Sequence, residues 1–202
     1  MDTAERTVRH AWNGRVFGVG LSRTGTTSLA NALDVIGIPC LHYPDPGLML
    51  DGRYADALAG YRAACDITVS AFFEELDRAY PGSRFVLTVR PLGAWLASIE
   101  RHTARIVRDT PEELDADHPK GLVRRMCFGT TGWDRELFVR AHAAHRERVE
   151  ACFADRPGDL LVIDVTSGDP WDVLCGFLGA EQPGVAFPHR NRTLTHEGVK
   201  HA

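Results

Sequence analysis

The chain has 202 residues, 44% apolar and 25% charged, a balance that suits one domain with a substantial core. Its formal net charge of −4 excludes a broad basic surface for nucleic acid, yet leaves room for local clusters that hold a small anion. No run approaches the ~20 apolar residues of a membrane span.

Residues 1–14 form a polar N-terminal segment without the apolar core of a signal peptide. Residues 15–202 are expected to make one α/β domain. Five scattered cysteines (Cys40, Cys65, Cys127, Cys152 and Cys175) suggest neither a disulfide frame nor a zinc site. The expected location is cytoplasmic.

Arg15 to Val19 reads as a buried strand, and Thr26 to Ile36 as a helix, with Leu29, Leu33 and Ile36 at helical spacing and Gly37 as its stop. Between them lies Gly20-Leu21-Ser22-Arg23-Thr24-Gly25-Thr26-Thr27-Ser28, a glycine- and hydroxyl-rich turn at a helix start. There loop and first-turn N–H groups converge on an anion. The spacing fits a P-loop, except that Thr26 stands where the lysine belongs and the cation, Arg23, lies inside the loop.

Ile38 to His42 reads as a short strand closed by Tyr43-Pro44-Asp45-Pro46-Gly47, residues 48–64 as weakly patterned helix, and Cys65 to Val69 as a short extended piece. A helix over Ala71 to Tyr80 ends at Pro81-Gly82. Phe85 to Val89 is the clearest strand, apolar as in a parallel sheet covered on both faces. Arg90 ends it, and Pro91 suits the first position of a helix whose inward stripe is Leu92, Trp95, Ile99 and Ile106.

Residues 107–131 are charged, contain Pro111, Pro119 and Gly121, and lack a strong period; they are the candidate lid or acceptor-binding insertion. A long helix over Trp133 to Asp155 follows, then a strand over Leu160 to Val165 and a helix over Trp171 to Leu178. The tail carries a basic cluster, His189-Arg190-Asn191-Arg192. Alternating strands and helices predict a three-layer, P-loop-like α/β fold with a mainly parallel sheet, whose ligands sit beyond the carboxyl ends of the strands.

ATP chemistry wants a loop lysine and a metal-binding strand-end Asp; the lysine is absent, and only Asp164 ends an apolar run. Sulfuryl transfer fits better, because the moving group carries less charge and arginine with backbone donors can stabilise it. The loop GLSRTGTTSL resembles the 5′-phosphosulfate loop of PAPS-dependent sulfotransferases, in a small bacterial branch with arginine in the loop. YPGSRFVLTVRPLGAWLAS resembles that family's 3′-phosphate element, with Ser98 eight residues after Arg90, although relatives often have Asp-Pro where this chain has Pro91-Leu92. WDRELFVRAHAAH, LLVIDVTSGDPWDVLCGFLG and FPHRNRT add to the similarity.

This resemblance implies a co-substrate, 3′-phosphoadenosine 5′-phosphosulfate (PAPS), leaving as adenosine 3′,5′-bisphosphate. It implies that Ser22 to Ser28 (Ser22, Arg23, Thr24, Gly25, Thr26, Thr27 and Ser28) hold the phosphosulfate. Arg23 would neutralise the leaving oxygen, and Arg90 and Ser98, with Arg190 or Arg192, would read the 3′-phosphate. The acceptor, a hydroxyl or less readily an amine of a small molecule or glycan, needs a base. Asp66 leads, followed by His42 and Glu74, although Asp66 equally suits a helix cap. A P-loop NTPase or small-molecule kinase using Asp164, and a non-catalytic nucleotide-binding module, remain alternatives. No pattern here is tied to a particular acceptor.

Overall fold

Five short runs form one parallel sheet. In the computed structural model, which describes residues 14–189, they are β1 (Val16–Gly18), β2 (Cys40–His42), β3 (Ala63–Cys65), β4 (Arg84–Thr88) and β5 (Leu160–Ile163). The order is β2-β3-β1-β4-β5. Around the sheet lie α1 (Thr26–Val35), α2 (Pro46–Leu50), α3 (Tyr54–Ala57), α4 (Ile67–Ala71), α5 (Phe73–Ala79), α6 (Leu92–Asp109), α7 (Pro119–Phe128), α8 (Arg135–Cys152) and α9 (Trp171–Leu178). Among the described residues no helix is long and apolar enough to cross a membrane.

Side chains alternate between the faces of the strands, and each face has its own core. Phe17 is in register with Ala64 and Phe85. These residues share one buried cluster with Phe73, Trp95, Phe128, Phe138 and Phe153. Val16, Cys65 and Val86 face the other way, against Leu29, Leu33, Trp171 and Leu174 of α1 and α9. Burying each such large side chain stabilises the fold by ~3 kcal/mol at most. Hence both faces of the central strands are covered, as their unbroken apolar runs require.

The topology positions the site. β1 and β4 are neighbours, but the chain leaves β1 toward β2 and leaves β4 toward β5. Their carboxyl ends therefore diverge, opening a crevice at the switch point. The 20–28 loop leaves one strand there and Arg90 follows the other.

Several local details differ from these expectations. Cys65 to Val69 is not extended: β3 stops at Cys65, Asp66 turns the chain at φ 92°, and α4 begins at Ile67. Every residue of α4 is buried, so no polar face marks its period. Pro91 precedes α6 with ψ 132° and is its cap; Leu92 is exposed, so the inward stripe starts at Trp95. Residues 107–131 are more ordered than their composition suggests, since α6 runs to Asp109 and α7 fills ten residues. The weak helical patterning of 48–64 resolves into the ends of α2, then α3, with the start of β3 behind them.

Candidate active site

The loop after β1 has its carbonyls drawn back into the protein. His145 Nε2 donates to Val19 O (2.7 Å), Ser70 Oγ to Gly20 O (2.7 Å), Thr24 Oγ1 to Leu21 O (2.7 Å) and Trp95 Nε1 to Ser22 O (2.9 Å). With carbonyl oxygens turned inward, the loop offers little repulsion to an anion. Gly20 must be glycine: a Cβ there would lie 1.9 Å from Thr88 Oγ1 and 2.7 Å from Thr88 O. Gly25, at φ 111°, begins α1 without any side-chain cap, and no acid stands in the first turn. The Leu29 amide donates to Gly25 O (3.0 Å), and the helix start ahead of it, with the helix dipole, forms an anion seat.

Guanidinium groups surround that seat. Arg23, held at φ 73°, donates through Nε to Ser98 Oγ (3.2 Å), and Arg90 Nη1 donates to Arg23 O (3.3 Å). A left-handed non-glycine residue costs ~1 kcal/mol, so the arginine sits there against its local preference. Burial first, then repulsion from Arg105, Arg90 and Arg101, lowers the Arg23 pKa. Four like charges so close together favour a bound polyanion. Arg23, Arg90 and Arg105 share a cleft of about 470 Å³, lined also by the rest of the loop, His102, Thr166 and His189.

A second cleft of about 440 Å³ adjoins the first, and the two share Ser22, His42, Asp66, His102 and Arg105. Asp66 is fixed at this seam. Its Oδ1 accepts from Ser22 Oγ (2.8 Å) and from the Ile67 amide (2.7 Å), so the residue also caps α4. Its Oδ2 lies 3.3 Å from His42 Nε2, which is 3.2 Å from Thr26 Oγ1 and 3.1 Å from Thr27 Oγ1. Thr26, at the P-loop lysine position, thus begins a hydroxyl–imidazole–carboxylate chain.

His102 Nδ1 accepts from Arg105 Nη2 (3.0 Å), which places the proton of the neutral ring on Nε2. Burial, followed by Arg23, Arg105 and Arg124, holds the His102 pKa down to about 4. The outer wall of the second cleft includes Asp109, Thr110, Glu113, Leu114, Lys120 and Arg124. That wall belongs to the 107–131 segment.

The structure therefore brings Ser22, Arg23, Gly25, Thr26, Thr27, Ser28, His42, Asp66 and Arg90 to one cleft. Thr24 turns away: its hydroxyl is buried against Thr88 Oγ1 at 2.6 Å. Ser98 is buried too and touches Arg23 rather than lining the cleft. Arg190 and Arg192 lie outside the described residues. Glu74 instead pairs with Arg148 at 2.7 Å. Asp164 Oδ1 accepts from the Thr166 amide (2.7 Å) and Oγ1 (2.6 Å), closing its own turn.

Sequence reasoning missed His102 and Arg105. They follow Ser98 at i+4 and i+7, so one stripe of α6 faces the site. That spacing was readable once Ser98 had been placed.

An all-parallel sheet with an uncapped, arginine-ringed helix start at its switch point makes this a P-loop-like α/β domain. The family model described as a sulfotransferase domain matches residues 15–196, and the chain belongs to this family. It is also similar to Ava biosynthesis cluster protein M of Aspergillus versicolor, with 24% identity over 211 residues, covering 87% of this chain and 80% of that protein.

Proposed function

We propose that this sulfotransferase takes its sulfuryl group from 3′-phosphoadenosine 5′-phosphosulfate and delivers it to a hydroxyl, or less readily an amine, of a small molecule or glycan. The observation that carries the reading is the seam: an anion seat ringed by Arg23, Arg90 and Arg105 meets a second cleft at a fixed carboxylate, Asp66. The co-substrate would supply the activated sulfuryl group. The residues present suit it, because the amides of the α1 start are uncapped and a Cβ at Gly20 would crowd the loop.

In this reading the backbone N–H groups around Gly25 to Thr27, with the Thr26, Thr27 and Ser28 hydroxyls, hold the phosphosulfate. Arg90 takes the 3′-phosphate, and Ser98 orients Arg23. The acceptor oxygen approaches from the second cleft, and Asp66 Oδ2 takes its proton as the new S–O bond forms. The old S–O bond breaks, and Arg23 neutralises the charge left on the phosphate oxygen. A fixed donor aimed at developing charge contributes about 10²- to 10³-fold. The product is adenosine 3′,5′-bisphosphate.

Calorimetric titration tests this directly. Adenosine 3′,5′-bisphosphate should bind tightly without divalent metal, and labelled sulfate should pass from the co-substrate to a member of a broad acceptor panel. Preference for Mg·ATP overturns the reading in favour of a kinase. Bisphosphate binding with no transfer to any acceptor reduces the protein to a binding module.

A further inference from the structure

The second cleft holds a buried cation that no acid neutralises. Arg124, on α7, is only 5% exposed, yet it lines this cleft. Its Nε donates to Thr131 O (2.8 Å) and its Nη2 to Thr103 Oγ1 (3.0 Å), both neutral oxygens, and its guanidinium lies 5.5 Å from the Phe128 ring centre. Among the described residues no carboxylate comes within ion-pair distance of it.

The ion pairs in the outer wall leave Arg124 aside. Lys120 pairs with Glu113, and Asp109 with Arg108. Tyr43 and Cys127, the groups whose ionised forms would offset Arg124, are both neutral, because burial drives the phenol up and the thiol up to about 12. Burial lowers the Arg124 pKa as well, but a guanidinium starts so high that it stays charged.

An isolated buried charge is costly, and a buried cation is normally paired. Tethering α7 to Thr103 and Thr131 needs only a neutral donor. A permanent cation exceeds that task, and its Nη1 group has no protein acceptor among the described contacts. The cleft volume, about 440 Å³, suits a small molecule. Its two ends differ in chemistry, with Asp66 at the seam and Arg124 in the wall.

We infer that Arg124 is an anion subsite of the acceptor cleft: the molecule sulfated carries, besides its reacting hydroxyl or amine, an anionic group such as a carboxylate that pairs with Arg124. This rests on the second cleft being the acceptor side, as proposed above. The acceptor class narrows from any hydroxyl compound to hydroxy or amino acids in the broad chemical sense.

The test uses the full chain saturated with adenosine 3′,5′-bisphosphate, which denies added anions the Arg23–Arg90 seat. Benzoate, 4-hydroxybenzoate, 3-hydroxyphenylacetate and a short aliphatic hydroxy acid are titrated beside their primary amides. At least one carboxylate should bind about tenfold or more tightly than its amide, the usual scale for a charged hydrogen bond. Arg124→Met should erase that preference and Arg124→Lys should retain part of it, with bisphosphate affinity in the same samples reporting the fold. Equal binding of every acid and its amide, or a preference that survives in Arg124→Met, overturns the inference. If the bisphosphate itself does not bind, the co-substrate reading fails instead. The acid–amide comparison across the Arg124 variants then still decides the subsite, because only a preference that Arg124→Met removes belongs to it.

Discussion

Arg23 Nε donates to Ser98 Oγ across 3.2 Å, tying the loop after β1 to the second turn of α6. The bond fixes a long, mobile guanidinium that would otherwise swing away from Arg90 and Arg105. Ser98→Ala removes the tether while leaving every charge in place. It should lower kcat about tenfold, the worth of one hydrogen bond to a charged group, with a Tm close to that of the parent. Single-turnover transfer beside a thermal melt reads both, and an unchanged kcat removes Ser98 from the mechanism.

Arg23 itself is held at φ 73° among other arginines. Arg23→Gly relieves the left-handed backbone and the repulsion together. The variant should gain ~1 kcal/mol, or about 2–4 °C in Tm, while transfer falls about 10²- to 10³-fold. A less stable glycine variant would contradict the strain assigned to this position.

Asp66 caps α4 and, in the proposed reaction, also serves as the base. Oδ1 caps α4 and accepts from Ser22, whereas Oδ2 faces His42 and the seam. Asp66→Asn preserves an acceptor oxygen for the cap and removes the base. It should keep the fold and bisphosphate affinity while reducing kcat by about 10²- to 10⁴-fold. Activity within about threefold of the parent would pass the role of base to His42.

His102 makes stability depend on pH. Its folded pKa is about 4 against an ordinary 6.5, so the unfolded chain binds this proton first. The contribution is fully present above about pH 6.5 and is lost as pH falls toward about 4. His102→Gln should flatten the fall of Tm across that window relative to the parent. His142 and His145, also lowered by burial, remain in both proteins and cancel from the comparison. Parallel Tm curves for the two proteins would exclude the assigned shift.

Much of the first cleft was legible because its constraints are local. Gly20 and Gly25 mark backbone that a side chain would obstruct, and the hydroxyls and Arg23 sit beside them in sequence. The parallel sheet was legible from Phe85 to Thr88, a run that must be covered on both faces. α4 was not, because Ile67, Thr68, Val69, Ser70 and Ala71 are all buried and leave no polar period to read. α7 was hidden by its own chemistry, for Arg124 is a charge placed inside and Gly121 packs against Asp115 O. His102 and Arg105 look like any solvated stripe until the fold turns that stripe toward Arg23. Residues far apart in sequence, such as Ser22 and Asp66, are joined only by strand order.

The 107–131 segment has a consequence for diversification. α7 packs against α2, α4 and α8, and contributes no strand to the sheet. It walls the second cleft like a visor on a helmet, fastened at the sides. Under the proposed function, exchanging this visor between relatives should transplant taste for the acceptor while leaving the proposed nucleotide grip of the chassis intact.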